Sequence, residues 1–201
     1  MKRPLAAAAI LSLGLYGIGA IPSNAQDNAC AAAKPLAATL KPLSIGDVAA
    51  VQVPDVPKQL PDLAFTAPDG SKITLASLKG KTVLLNLWAT WCAPCRHEMP
   101  ALNKLQAELG SADFEVVAVS IDQRNLDKPK AFLQEIGVSN LAYYSDPSAK
   151  IFQQLKAVDR AFGMPTTLLI DKNGCELGYL AGPADWASQD AIKLIKAALG
   201  R

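Results

Sequence analysis

The chain has 201 residues, of which 50% are apolar and 19% are charged, and its formal net charge is +2. This composition excludes an intrinsically disordered protein, and no run of Lys and Arg is dense enough to follow a nucleic-acid backbone. We find no internal repeat, and the Gly and Pro residues are not periodic, which excludes collagen-like and low-complexity architectures. The length predicts one domain with an additional segment, so function must come from a local site.

The N-terminus has the pattern of an export segment. Lys2 and Arg3 precede an uncharged, mostly apolar stretch from Leu5 to Ile21. This stretch is slightly short for a membrane span and longer than most signal-peptide cores. We predict that residues 1 to 25 anchor the chain in the bacterial inner membrane, with cleavage after Ala25 as the alternative. In either case the remaining residues fold in the periplasm, at the membrane or released from it.

Residues 26 to 60 differ in composition from the rest of the chain. They are rich in Ala, Pro and Val and poor in aromatic side chains. Only Pro35 interrupts a short helical pattern between Ala29 and Leu40. We predict a periplasmic tether with a helical piece, followed by a folded domain at residues 61 to 201.

From residue 61 onwards, strand and helix patterns alternate. The continuously apolar segment Thr82 to Trp88 is typical of a strand buried on both faces, and it leads through a tight turn into a helix that extends to Leu109. The other predicted elements are a hairpin at 63–75, a strand at 114–121, a helix at 129–136, a short strand at 141–144, a helix at 149–158, a hairpin of strands 166–170 and 176–180, and a helix at 186–199. This order predicts an α/β fold with parallel and antiparallel strands in one sheet.

Four cysteines in an exported chain form an even set, which allows three disulfide pairings. Cys92 and Cys95 are separated by two residues and are treated as a local pair. Cys30 and Cys175 are then each other's partner. We predict two disulfides, of which the long-range one is structural.

The segment from Cys92 to Cys95 has the spacing of a redox-active pair. At the start of a helix, unpaired backbone N–H groups and the helix dipole favour the Cys92 thiolate, so Cys92 is the expected nucleophile. Cys95 lies three positions later on the same side of the helix and is expected to resolve the mixed disulfide. The disulfide is itself the redox group, so we expect no bound cofactor.

Other uses of this cysteine pair fit the sequence less well. A purely structural disulfide would close too small a loop to stabilise the fold much. A zinc site needs about four ligands, and only His97 is nearby. Haem attachment needs a His directly after the second cysteine, where this chain has Arg96. We therefore predict no metal site here.

The strings NLWATWCAPCRHEMP (86–100) and GMPTTLLID (163–171) resemble the TlpA/ResA/CcmG group of the thioredoxin superfamily. The resemblance covers residues 60 to 201. It implies a thioredoxin fold, in which helices flank a central mixed β-sheet, with an inserted strand and helix and an N-terminal extension. It also implies a membrane-anchored periplasmic thiol-disulfide oxidoreductase that acts as a reductant. Cys30 and the segments at 171–176 and 181–188 most resemble the TlpA branch of the group.

The resemblance also implies roles for single residues. Met164–Pro165 is the expected cis peptide facing the cysteines, and Met164 would pair with a bound client. Glu98 would lie near the thiols and raise their pKa values, and Trp91 would flank the site. Asn86 stands where ordinary thioredoxins have a buried acid, so a proton relay must use Glu98, water or the substrate.

The same resemblance sets the expected partners. In the TlpA branch the clients are the copper-site cysteines of a SCO-type chaperone and of cytochrome oxidase subunit II, and a transmembrane electron donor restores the dithiol. One alternative is a CcmG-like reductant of apocytochrome c cysteines, against which the extension with Cys30 argues. The alternative from another class is a copper metallochaperone with Cys92 and Cys95 as Cu(I) ligands.

Overall fold

The computed structural model describes residues 29 to 201. The predicted anchor at residues 1 to 25, and its alternative cleavage site, lie outside these described residues. Within the described part of the chain, none of the helices has the length and apolar character needed to cross a membrane.

Strands and helices alternate through most of the described chain. The strands are β1 (Ala64–Thr66), β2 (Lys72–Thr74), β3 (Thr82–Trp88), β4 (Phe114–Ser120), β5 (Tyr144–Ser145), β6 (Thr166–Ile170) and β7 (Glu176–Ala181). The α-helices are α1 (Lys34–Leu40), α2 (Ala93–Leu109), α3 (Lys128–Glu135), α4 (Lys150–Lys156) and α5 (Gln189–Ala198). Helix α2 continues through Pro100, as predicted.

The strands form one seven-stranded sheet in the order β2-β1-β5-β4-β3-β6-β7. Strand β3 is parallel to β4 and antiparallel to β6, and β7 lies antiparallel to β6 at the edge. Every residue of β3 is buried, because this strand is central in the sheet and helices cover its faces. Between β4 and β6 the chain forms helix α3, strand β5 and helix α4. The predicted fold class is confirmed.

Three predicted elements of the domain differ from the structure by two or more residues at one end. The short strand lies at Tyr144–Ser145 rather than at 141–144, because only these two residues pair with β4. The predicted helix at 149–158 is shorter and begins at Lys150, after Ala149 in a left-handed conformation. The last helix begins at Gln189 and not at Trp186, because the Ser188 side chain accepts a hydrogen bond from the first turn and caps the helix.

Residues 29 to 60 include helix α1 and pack against the rest of the domain. Gln52 exchanges two backbone hydrogen bonds with Tyr179 of β7, at 2.8 and 3.0 Å. Helix α1 contacts α5 and β7. The apolar residues that this segment buries are Cys30, Ala33, Ala37, Leu40, Val48 and Val51. Their burial offsets the entropy cost of ordering the segment.

The start of this segment is joined covalently to the hairpin between β6 and β7. Cys30 and Cys175 form a disulfide, with their Cα atoms 5.6 Å apart. Both residues are buried. This is the pairing that the cysteine spacing predicts.

Candidate active site

Cys92 and Cys95 lie where the loop after β3 turns into α2. Cys92 is the N-cap residue in an extended conformation, and its Sγ accepts a hydrogen bond from the backbone N–H of Cys95 at 3.2 Å. The two cysteines form a disulfide, with Cα atoms 5.3 Å apart. Cys92 is 6% exposed and Cys95 is 0% exposed. The geometry therefore leaves Cys92 as the sulfur that an incoming group meets first, with a helix N-terminus beside it to favour its thiolate.

The peptide bond between Met164 and Pro165 is cis. The next residue, Thr166, is opposite Leu87 in the antiparallel pairing of β6 with β3. Because the start of β6 lies beside the end of β3, Pro165 and the loop that carries Cys92 lie at the same end of these strands. Pro165 is buried and Met164 is partly exposed.

Two large apolar side chains are exposed next to these two segments. Trp91, directly before Cys92, is 65% exposed, and Phe162, two residues before Met164, is 67% exposed. Exposed aromatic side chains beside a reactive group are typical of a contact surface for another protein. Trp91 is among the residues predicted from the sequence. Phe162 is not, because its only sequence signal is its position just before Met164–Pro165.

Glu98 lies one turn after Cys95 on the same side of α2 and is buried. Its Oε1 accepts hydrogen bonds from the Trp186 indole (2.5 Å) and the Ala184 backbone N–H (3.3 Å), and its Oε2 accepts one from the Asn86 amide (3.2 Å). Burial raises the pKa of Glu98 to about 7, although these three hydrogen bonds favour the charged form. The carboxyl group therefore changes its protonation near neutral pH.

Asn86 links Glu98 to the centre of the sheet. Its amide also donates to the Thr167 hydroxyl at 2.9 Å, across the pairing of β3 with β6. Because an amide does not ionise at ordinary pH, Glu98 is the ionisable group of this cluster.

An open groove runs along the first half of α2 and reaches Glu98. Its volume is about 760 Å³. Pro94 and His97 line it on the helix side, and residues 183 to 185 line it on the other. His97 is exposed on the helix surface. The groove gives water or a client chain a route to the Glu98 carboxyl group.

Comparison with known proteins places this geometry in a family. Residues 55 to 192 match the family model described as Redoxin. The chain belongs to the Redoxin family. It is 34% identical over 125 residues to the thiol-disulfide oxidoreductase ResA of Bacillus thuringiensis (strain Al Hakam), which is 62% of this chain and 69% of the relative. It is 35% identical over 120 residues to the thioredoxin-like protein YneN of Bacillus subtilis (strain 168), 58% of this chain and 66% of the relative.

Solved structures of this Redoxin's relatives show the same fold. A crystal structure from Chlorobium tepidum, assigned as a thiol:disulfide interchange protein DsbE, aligns with a TM-score of 0.60 and 32% identity. The alignment covers 71% of this chain and 96% of the other. With the cysteine geometry, these relatives identify this Redoxin as a thiol-disulfide oxidoreductase of the ResA/DsbE type. The predicted relation to the ResA group is confirmed, while the nearer likeness to the TlpA branch stays a prediction.

We expect the free energy of unfolding of this Redoxin to fall as the pH rises from 4.5, the ordinary pKa of Glu, to about 7, the pKa of Glu98 in the native state. The native state holds this proton up to about pH 7, whereas an ordinary Glu has a pKa of 4.5. Because the native state binds more protons between these values, the free energy of unfolding decreases with rising pH, by about 3 kcal/mol from this group.

Urea unfolding of the oxidised protein across this pH range measures the effect. The Glu98→Gln variant should show a flatter decrease than the unaltered protein. The matched control is Glu108→Gln on the same helix, which is half-exposed and should leave the slope unchanged. Equal slopes for the unaltered protein and Glu98→Gln would contradict the prediction.

Proposed function

We propose that this protein is a periplasmic reductant of protein disulfides, held at the inner membrane by its N-terminal segment. The observation that carries the proposal is the cysteine pair itself, with a slightly exposed Cys92 at the start of α2 and a fully buried Cys95 behind it. This asymmetry suits a reaction in which one sulfur attacks and the other resolves.

The reaction proceeds in two exchanges. The Cys92 thiolate attacks one sulfur of the client disulfide, so that the client S–S bond breaks, a disulfide between Cys92 and the client forms, and a client thiolate leaves and takes up a proton. The Cys95 thiolate then attacks the Cys92 Sγ and releases the second client thiolate. The client disulfide has gained two electrons, and Cys92 and Cys95 have been oxidised to their disulfide.

Glu98 supplies the proton acceptor for the second exchange. Cys95 is buried, and burial in apolar surroundings favours its protonated form, so its proton must be removed before it attacks. Glu98 is the buried carboxyl group one turn along the same helix face, and its pKa of about 7 allows it to take up and release a proton near neutral pH. The groove beside Glu98 connects this carboxyl group with the solvent.

We further propose which clients are reduced. The resemblance of Cys30 and of residues 171–176 and 181–188 to the TlpA branch supports the copper-site cysteines of a SCO-type chaperone and of cytochrome oxidase subunit II. These cysteines must be reduced before they can bind copper. The Cys92–Cys95 pair is the redox group, no cofactor is needed, and a transmembrane electron donor restores the dithiol.

The deciding measurement is the reduction potential of Cys92 and Cys95 in the full-length protein. It is obtained by equilibration against glutathione or dithiothreitol, with Cys30 and Cys175 left paired. We expect a value below about −200 mV, as for dedicated reductants, whereas a value near about −120 mV would make the protein a disulfide donor and contradict the proposal.

Client class is tested with two oxidised peptides. One carries the copper-site cysteines of cytochrome oxidase subunit II, and the other carries the haem-binding cysteines of an apocytochrome c. We expect faster reduction of the copper-site peptide, and the opposite preference would support the CcmG-like alternative. Tight Cu(I) binding without reduction of either peptide would support a metallochaperone. In residues 29 to 201 no group of three or more His, Cys, Asp and Glu residues is arranged to hold a metal.

A further inference from the structure

A buried carboxyl group that does not belong to the redox cluster holds the loop that carries Cys92. Asp122 lies two residues after the end of β4 and is 5% exposed. Its Oδ2 accepts a hydrogen bond from the Thr90 backbone N–H at 2.9 Å, and its Oδ1 accepts one from the Thr90 hydroxyl at 2.6 Å. One side chain thus binds both the main chain and the side chain of the residue two positions before Cys92.

Strand β4 holds the Asp122 side chain in place through Ser120. Ser120, the last residue of β4, donates its hydroxyl hydrogen to Asp122 Oδ2 at 3.0 Å. In the sheet Ser120 is paired with Trp88, the last residue of β3, and the backbone N–H of Ile121 donates to the Trp88 carbonyl at 2.9 Å. Because β3 and β4 are parallel, the loops that follow them lie side by side, and Asp122 connects the two loops.

The contacts of Asp122 are better suited to holding a loop than to adding stability. Removing a carboxyl group from water costs free energy, and within residues 29 to 201 no ion pair to Asp122 offsets that cost. Its two oxygens accept separately from the two Thr90 donors. An amide at this position has an NH₂ donor group in place of one of these oxygens, so one of the two Thr90 donors would face another donor.

The loop held in this way also forms a wall of a second cavity. This cavity has a volume of about 510 Å³, and its lining includes Thr90, Trp91 and Asp122. It shares no lining residue with the groove beside Glu98. Because Thr90, Trp91 and Cys92 are consecutive in the chain, movement of Thr90 would displace the other two residues and change the surface that contacts a client.

We propose that Asp122 is a positioning residue for Cys92. By holding Thr90 it fixes the direction from which the Cys92 sulfur meets a client disulfide, which must be nearly in line with the bond that breaks. This inference rests on the proposed thiol-disulfide exchange and adds to it a residue outside the cysteine motif.

The test compares rates of thiolate attack in Asp122→Asn and in the unaltered full-length protein. The reduced proteins react with a small aromatic disulfide across a range of pH, and the plateau at high pH gives the rate constant of the Cys92 thiolate itself. We expect the plateau to fall about tenfold or more in Asp122→Asn, because a misplaced nucleophile loses rate even when it is fully ionised. Thr90→Val should lower the plateau less, and Thr90→Ser should restore it.

Asp146→Asn is the matched control. Asp146 is also 5% exposed and also accepts three hydrogen bonds, from Ser148 N–H, the Ser148 hydroxyl and Ile151 N–H, but it holds the start of α4. We expect Asp146→Asn to lower the melting temperature and leave the plateau unchanged.

Three results would overturn the inference. They are an unchanged plateau in Asp122→Asn, an equal fall of the plateau in Asp146→Asn, and equal plateaus in Thr90→Val and Thr90→Ser. The last comparison decides the matter if Asp122→Asn does not fold. Failure of the unaltered protein to react with any disulfide would instead overturn the proposed function, and with it this role of Asp122.

Discussion

Replacing Cys95 with alanine is expected to trap a client protein on Cys92 as a stable mixed disulfide. Cys95 is the group that would break this bond, and without it the first exchange has no intramolecular second step. The complex should appear as a slower band on a non-reducing gel and disappear with dithiothreitol. Multiple-turnover reduction of the client should fall on the order of 10⁴-fold, the size of loss that follows removal of an essential catalytic group.

Cys92→Ala is the matched control for this trap. It should form no complex with the client, because the remaining sulfur of Cys95 is 0% exposed. A complex that forms with Cys92→Ala and not with Cys95→Ala would mean that Cys95 attacks first and Cys92 resolves.

The largest effect on stability is expected from the other disulfide. Cys30 and Cys175 are 145 positions apart, so their bond closes a long loop of the unfolded chain. The double variant Cys30→Ala/Cys175→Ala should therefore lose about 5 kcal/mol of the free energy of unfolding, by the chain-entropy relation. Alanine is chosen because both positions are buried and leave no hydroxyl group without a partner.

Urea unfolding of the oxidised proteins measures this loss. The matched control is Cys92→Ala/Cys95→Ala, whose disulfide joins positions only three apart and should contribute far less by the same relation. A loss below about 1 kcal/mol in the first variant would show that strain in the folded state offsets the entropy term.

The parts of the fold that were predicted correctly depend on short-range patterns. The bounds of β3 and β6 match the prediction, because continuous apolar runs next to turn residues mark strands that are buried on both faces. The hairpin between β6 and β7 was also predicted, because a glycine lies between the two strand patterns. In the structure Gly174 has the positive φ that the turn requires. The packing of residues 29 to 60 was not visible, because their contacts lie on β7 and α5 at the far end of the chain.

In the candidate site, too, the local features were predictable from the sequence and the long-range contacts were not. The cysteine spacing is local, so the sequence identifies the pair and its place at a helix start. Trp186 is 88 positions from Glu98, and its apolar character suggested a place in the last helix, whereas its indole N–H donates to the Glu98 carboxyl group. Asp122 gave no signal, because its two hydrogen bonds to Thr90 exist only once β3 and β4 are paired.

The pairing of Gln52 with Tyr179 has a consequence for how this protein keeps apart from other chains. Strand β7 is the last strand of the sheet, and an uncovered edge strand offers a row of N–H and C=O groups to any extended polypeptide. Bridges from Gln52 and Gln59 to the β7 region occupy part of this row. Residues 29 to 60 therefore cover part of this edge against unwanted strand addition. A chain shortened to begin at residue 61 would expose this edge, and its copies would associate through it.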